Sequence, residues 1–173
     1  MQRIRGGFMA DAHGDWEAWL DRHAAALVLF ARQWVASQAD AEDVVQEAFI
    51  RFWRSRAKAA DPAAYLYACV RNGARQWQRS GMRRSQREEA AARPEEEPLF
   101  TGTLEQDERR VLIAAALGNL PEGQREVLVM KIWGGLSFPQ IALALAIPAN
   151  TAASRYRYAL TKLREALAEE SIP

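Results

Sequence analysis

The stretch "GLSFPQIALALAIPANTAASRYRYALTKLREAL", residues 135–167, predicts two helices joined by a short turn. Ser137 is a good N-cap for the first helix, and Gln140 stands three positions later, which is the spacing of a capping box. We expect this helix to end before Pro148, because the residue preceding a proline is pushed out of helical geometry. Two helices separated by so short a connection predict a helix-turn-helix.

The second helix of this pair has two different sides when its residues are spaced with the helical period. Alanines, leucines and Tyr156 fall on an apolar side, whereas Tyr158 falls on the polar side. In a helix-turn-helix the start of the second helix enters the major groove, where polar side chains contact base edges and basic ones bind phosphates. The alternative is a solvated helix whose arginines pair with neighbouring glutamates. The candidate DNA-binding residues are Asn150, Thr151, Ser154, Arg155, Arg157, Tyr158 and Lys162.

The composition is that of a globular protein, with 49% hydrophobic residues among 173 and a formal net charge of +1. A nucleic-acid partner must therefore be indicated by local charge patterning and not by the total. No run reaches the roughly 18 consecutive apolar residues of a membrane-spanning helix, and no signal-peptide core is seen. The single cysteine, Cys69, excludes an internal disulfide and favours a reducing compartment. We expect a cytoplasmic protein that does not bind a membrane.

Apolar spacing in the first half predicts three more helices and no strand. The first lies within residues 15–35. The second begins with Asp40 as N-cap and runs to about residue 56. The third begins with Asp61 as N-cap and Pro62 at the first helical position. This half is predicted to be entirely helical.

A change of composition divides the chain after this helical half. Residues 88–103 contain two prolines, many glutamates and few large apolar side chains, which is typical of a flexible linker. We therefore predict an all-α protein with two small helical domains, at 15–87 and 104–173, joined by this acidic linker and preceded by an extension at 1–14. Two helices, at about 104–117 and 121–133, come before the helix-turn-helix.

The third helix has a basic face opposite its apolar one. Guanidinium groups bind phosphates, an aromatic ring stacks on a base, and an amide hydrogen-bonds a base edge, so this combination favours single-stranded nucleic acid. The alternative is a solvated basic face. The residues on this face are Tyr65, Arg71, Asn72, Arg75 and Arg79.

The outer side of the second helix combines acidic side chains with one large apolar residue. Its members are Asp43, Gln46, Glu47 and Ile50. An isoleucine among carboxylates indicates a docking surface with an apolar centre and a polar rim. The alternatives are a solvated acidic face with an isolated isoleucine, or a metal site. A metal site is disfavoured because the two histidines, His13 and His23, are not at ligand spacing from these acids.

Motifs of catalysis are missing from the sequence: it has no P-loop, no nucleophile elbow and no HExxH zinc motif. Glu122 and Glu126 stand one helical turn apart, and we interpret them as surface charge. We expect no cofactor and no metal. Two functions remain open from the residues, namely a helix-turn-helix regulator that binds duplex DNA, and an enzyme or helical scaffold with incidental charge.

Three stretches in the same order carry a resemblance to a known family. They are "DAEDVVQEAFIRFWR", "AYLYACVRNGARQWQR" and "LPEGQREVLVMKIWGGLSFPQIALALAIPANTAASRYRYALTKLREAL". They closely resemble bacterial sigma-70 family RNA polymerase sigma factors of the extracytoplasmic-function (ECF) type, over roughly residues 15–167. The resemblance implies regions 2 and 4 of that family, core RNA polymerase and promoter DNA as partners, and promoter recognition and melting as the function. It implies no catalysis, and many relatives are held by an anti-sigma factor.

The resemblance also implies a role for each face. The acidic face with Ile50 would bind the β′ clamp helices of the polymerase, and region 4 would contact the β flap. The helix-turn-helix would hold the duplex of the −35 element. The non-template strand of the −10 element would be bound by Arg56, Lys58, Tyr65, Arg71, Asn72, Arg75 and Arg79.

Three positions depart from the family pattern. Ala153 stands where the family often has a basic residue, and Tyr158 stands where another basic residue is frequent. Tyr65 occupies a place where tryptophan is common, which keeps a stacking surface but changes its reach. The −35 sequence of relatives therefore does not transfer to this chain.

Overall fold

The computed structural model describes residues 14–55, 59–85 and 112–169, with side chains described outside 14–18, 20–22, 82–85 and 169. Over these residues the chain forms seven helices and no strand, so the all-α prediction is confirmed. The predicted linker at 88–103 lies outside the described residues. The helices are α1 (Gly14–Ala31), α2 (Gln38–Ser55), α3 (Pro62–Ser85), α4 (112–118), α5 (Glu122–Ile132), α6 (Phe138–Leu145) and α7 (Ala149–Glu169).

The starts of α2 and α3 are fixed by side-chain caps. The backbone N–H of Ala64 donates to Asp61 Oδ1 at 2.9 Å, which confirms Asp61 as the cap of α3. In α2 the cap predicted at Asp40 is wrong. The hydroxyl oxygen of Ser37 accepts the Asp40 N–H at 3.0 Å, so the helix begins earlier and Asp40 lies in its first turn. An aspartate in that position still interacts favourably with the helix dipole.

The predicted capping box of α6 is confirmed at both of its hydrogen bonds. Ser137 accepts from the Gln140 N–H, and the Gln140 side chain accepts from the Ser137 N–H at 2.9 Å. The helix ends at Ala146, which adopts the left-handed conformation with φ 54°. This turn lets the Ile147 N–H donate to the carbonyl of Ala142 at 3.0 Å, so one terminal carbonyl is satisfied before α7 begins.

The main hydrophobic core lies between α1, α2 and α3. Phe30, Phe52 and Tyr67 are among its largest fully buried side chains. The rings of Phe30 and Tyr67 meet edge to face, with centroids 5.3 Å apart. The first helix is shorter than predicted, because α1 ends at Ala31 and the buried Trp34 lies in the turn that follows.

The helix-turn-helix half packs into this same core. Val127, Met130, Leu136 and Ile141 are buried in one cluster with the side chains of α1, α2 and α3. A smaller cluster, which includes Leu128 and other side chains of α4, α5 and α7, holds that half together internally. The two predicted halves therefore share buried apolar surface, with α6 packed against α3 and α5 against α1.

Candidate polymerase and nucleic-acid interfaces

The outer face of α2 is exposed as its sequence pattern indicates. Asp43, Gln46 and Glu47 are exposed, and Ile50 keeps 47% of its surface accessible among them. The opposite side of the helix is buried in the core, so the orientation of this face is fixed by packing. Glu47 forms an ion pair with Arg51 one turn further along. The structure therefore presents an acidic face that includes one exposed apolar side chain.

The basic face of α3 is divided by the structure into two parts. Asn72 and Arg79 are exposed to solvent. Tyr65 is half-buried, with its ring 6.1 Å from that of Phe52. Arg56 and Lys58, predicted to act with this face, lie outside the described residues. The other two members of the face, Arg71 and Arg75, point toward α5.

Arg71 and Arg75 are paired with the two glutamates of α5. Arg71 Nε donates to Glu126 Oε1 at 2.5 Å, and its Nη2 lies 3.4 Å from Glu126 Oε2. Arg75 Nε donates to Glu122 Oε1 at 3.1 Å, and its Nη2 forms a second contact with the same oxygen. Trp34 Nε1 adds a hydrogen bond to Glu122 Oε1 at 3.3 Å.

The interpretation of the two glutamates as surface charge is wrong for Glu126, which is 1% exposed. A buried carboxylate requires a partner, and Arg71 supplies it. Glu122 is exposed, but it too is paired. The sequence did contain a signal, because Arg71 and Arg75 have the same four-residue spacing as Glu122 and Glu126.

The environment of Glu122 changes its acidity. Burial has the largest effect and raises the pKa of the Glu122 carboxyl, but the hydrogen bonds from Arg75 and Trp34 and the charges of Arg75 and Arg71 together lower it by more. The net result is a pKa below the ordinary value of 4.5. The carboxylate is therefore favoured in the ionised form that pairs with Arg75.

Helix α7 presents most of its predicted face to solvent. Tyr158 is 65% exposed, whereas Tyr156 packs partly against the core and meets the Phe138 ring at 5.6 Å, so the predicted separation of the two tyrosines is confirmed. Six predicted residues besides Tyr158 lie along the helix: Asn150, Arg157 and Lys162 are exposed, and Thr151, Ser154 and Arg155 are half-buried.

Two residues of the α7 face have local partners. The Ser154 hydroxyl donates to the carbonyl of Asn150 at 2.9 Å, and Arg157 Nη2 approaches the same hydroxyl oxygen at 3.5 Å. Arg155 lies over the start of α5, where a Cβ on Gly123 would fall 2.8 Å from Arg155 Nη1. Arg155 thus packs at the edge of the face, and Arg157 is the freer cation.

Within the described part of the chain, no helix is long and apolar enough to cross a membrane. The same residues contain no group of three or more histidine, cysteine, aspartate or glutamate side chains arranged to hold a metal ion. Cys69 is half-buried; burial raises the pKa of its thiol, while a hydrogen bond with Tyr65 and the charge of Arg51 lower it less.

Comparison with known proteins identifies the family. Residues 19–84 match sigma-70 region 2, and residues 103–163 match sigma-70 region 4. The ECF RNA polymerase sigma factor SigL of Mycobacterium tuberculosis is 34% identical over 98% of this chain and 97% of its own length. The chain belongs to the ECF sigma factors of the sigma-70 family. It is an RNA polymerase sigma factor, the type of protein that directs transcription initiation.

Other relatives and solved structures agree with this assignment. The RNA polymerase sigma-E factor of Streptomyces avermitilis is 30% identical over 90% of this sigma factor and 88% of its own length. CnrH, solved with the cytosolic domain of CnrY, is 27% identical with a TM-score of 0.62, covering 93% of this chain and 92% of that one. RpoE of Bartonella quintana, solved with the anti-sigma factor NepR, shares the fold with a TM-score of 0.67 at 24% identity, covering 89% and 97%.

Proposed function

We propose that this sigma factor uses three different helix faces for the three binding steps of transcription initiation. The face of α2 binds core RNA polymerase, the face of α3 takes the single strand of the −10 element, and the face of α7 holds the −35 duplex. The α2 face carries most of this proposal, because Ile50 is 47% exposed on the same helix face as the carboxylates of Asp43 and Glu47. That arrangement repels phosphates and favours a protein partner.

The assignment of α2 to the polymerase is supported by its rigid presentation. Val44 and Ala48 are buried on the opposite side of the helix, so Glu47 and Ile50 project outward without rearrangement. The β′ clamp helices of core polymerase are the proposed partner. Contact of region 4 with the β flap is a second part of the same proposal.

The assignments of α3 and α7 rest on cations and polar groups at exposed positions. On α3, Asn72 and Arg79 are exposed, and in this proposal Asn72 hydrogen-bonds a base and Arg79 binds phosphate. On α7, Asn150 stands near the helix N-terminus and Arg157 is exposed two turns later, which fits a helix entering the major groove. In this proposal Asn150, near the start of α7, contacts base edges, and Arg157, further along the helix, binds phosphate.

The chain acts, in this proposal, as a binding subunit with no catalytic activity of its own. Its site of action is the cytoplasm, where core polymerase and the chromosome are found. Because RpoE of Bartonella quintana, which shares this fold, was solved with the anti-sigma factor NepR, we further propose that an anti-sigma factor holds this sigma factor when it is inactive. A stand-alone helix-turn-helix regulator would use α7 alone and would leave the α2 face unexplained.

Reversing one charge on the α2 face tests the core-binding assignment. Glu47→Lys is expected to weaken binding of the chain to core RNA polymerase about tenfold or more, because a charge at an electrostatically matched interface becomes repulsive. Fluorescence anisotropy with purified core enzyme measures this affinity. Glu165→Lys, the same change at an exposed position of α7, is the control and is expected to bind core enzyme normally. Equal affinity of the two variants would contradict the assignment.

A further inference from the structure

Two arginines assigned to −10 DNA are engaged by region 4 in this structure. Arg71 and Arg75 lie one turn apart on α3, and their partners Glu126 and Glu122 lie one turn apart on α5. Both ion pairs therefore link α3 to α5 through their side chains. Carboxylate and phosphate oxygens bind guanidinium N–H groups in the same way, so each glutamate takes up donors that a phosphate could otherwise bind.

The inner pair is almost fully withdrawn from water. The side chain of Glu126 is 2% exposed, and that of Arg71 is 20% exposed. The outer pair is more open, at 44% for Glu122 and 38% for Arg75. Because a buried charge is unfavourable without its partner, separation of α5 from α3 requires both members of the inner pair to be resolvated together.

Other contacts hold region 4 in the same place. Gln140 Nε2 donates to Asp61 Oδ2 at 3.0 Å, next to the start of α3. The Tyr67 hydroxyl of α3 reaches the turn after α5, where a Cβ on Gly134 would lie 2.5 Å from it. The ion pairs are therefore part of a wide interface that includes shared apolar core.

We propose that this interface is an autoinhibitory contact, in which Glu122 and Glu126 of region 4 occupy Arg71 and Arg75 and withhold them from single-stranded DNA until region 4 moves away. The proposal rests on the proposed role of α3 in binding the −10 strand. Exposed Asn72 and Arg79 remain available in the closed form, so the free chain retains weak binding. Full affinity requires the closed form to open.

Neutralising the glutamates tests the contact in the full chain without polymerase. Glu126→Gln and Glu122→Gln preserve side-chain shape but remove the charge that competes with phosphate. Glu165→Gln, at an exposed position of α7, is the control for a change of one charge. The probe is a fluorescently labelled single-stranded DNA of mixed sequence, and anisotropy is recorded over a range of salt concentrations.

Opening is expected to raise the affinity for this DNA. If the binding-competent fraction increases from about 1 in 100 to 1 in 10, the apparent affinity increases about tenfold. Release of both arginines also steepens the dependence of log affinity on log salt by about 1.4, since each phosphate contact on a single strand contributes about 0.7. A change in folding alone does not produce this steeper slope.

The outcomes separate the contact from the proposed function. An increase in affinity and slope for either glutamate variant beyond the Glu165→Gln control supports the contact. If both variants match the control while circular dichroism shows them folded, the contact is overturned. If loss of the buried charge unfolds the Glu126→Gln variant, the Glu122→Gln variant, which changes an exposed residue, provides the test instead. Transcription by wild-type chain with core enzyme is measured in parallel, and its absence overturns the proposed function instead.

Discussion

Gly134 illustrates how a single residue determines the fit between region 4 and α3. A Cβ at this position would fall 2.5 Å from Tyr67 Oη and 2.6 Å from the carbonyl oxygen of Met130. The second neighbour is backbone and cannot turn aside as a side chain does. No glycine signal in the sequence distinguishes this position from Gly135, whose φ is +65°, because the requirement arises from a contact between distant segments.

Gly134→Ala is expected to destabilise the protein by about 1–3 kcal/mol, the cost of inserting a methyl group into packed surroundings. The free energy of unfolding from urea titration measures it. Gly118→Ala is the matched control, because nothing lies within 4 Å of a Cβ there and the residue ends helix α4. That control is expected to change stability by less than about 1 kcal/mol, in the stabilising direction. An equal loss in both variants would show that Gly134 is not tightly packed.

Glu122 predicts how stability depends on pH. Its pKa in the folded chain lies below the ordinary value of 4.5, so its ionised form stabilises the folded state above that value. This contribution is lost as the pH falls through the lowered folded-state pKa. Its size is small, below about 1 kcal/mol, because the side chain is 44% exposed and screened by solvent.

Glu122→Gln is therefore expected to be less stable than wild type at neutral pH, and this difference is expected to shrink at acid pH as the Glu122 carboxyl of the wild type takes up its proton. Urea titrations at the two pH values give the difference in unfolding free energy. A difference that stays constant between them would mean that the Arg75 pair does not depend on the ionised carboxylate.

At the scale of whole helices, sequence patterns predict the helix caps and the buried and exposed faces well where these depend on residues close together in the chain. The caps of α3 and α6 depend on residues three positions apart, so Asp61 and Ser137 were identified from spacing alone. The start of α2 was placed wrongly because Ser37 and Asp40 are both good capping residues, and only the backbone hydrogen bond distinguishes them. Face assignments on α2 and α7 were recovered because helical periodicity separates buried from exposed positions.

The proposal that the exposed face of α7 binds the −35 duplex can be tested with a single substitution. Arg157→Ala is expected to weaken binding of the holoenzyme to a duplex carrying the −35 element and to reduce its salt slope by about 0.9, the value for one phosphate contact on duplex DNA. Affinity across salt concentrations is the measurement. Arg79→Ala removes the same charge from an exposed position of α3 and is expected to leave the slope on this duplex unchanged. If both variants lower the salt slope equally, the proposal that α7 is the helix that binds the −35 duplex is contradicted.

At the scale of the molecule, the sequence did not predict how the two halves pack. Apolar periodicity shows that Val127, Met130 and Ile141 are buried but does not identify their partners, and these side chains lie in one core with α1, α2 and α3. The pairing of Arg71 with Glu126 escaped prediction for the same reason, since it joins residues 55 positions apart. Capping and apolar periodicity, which involve residues close in sequence, determine the helices. Packing between distant segments determines which charged side chains are exposed and which are paired.

The central claim is that this chain gives promoter specificity to core RNA polymerase. The most direct measurement is run-off transcription on a genomic template library by core enzyme with and without the chain, followed by sequencing of transcript 5′ ends. The account predicts new starts at discrete positions that share a common upstream sequence and disappear with Glu47→Lys. Transcript ends identical to those of core enzyme alone would contradict it.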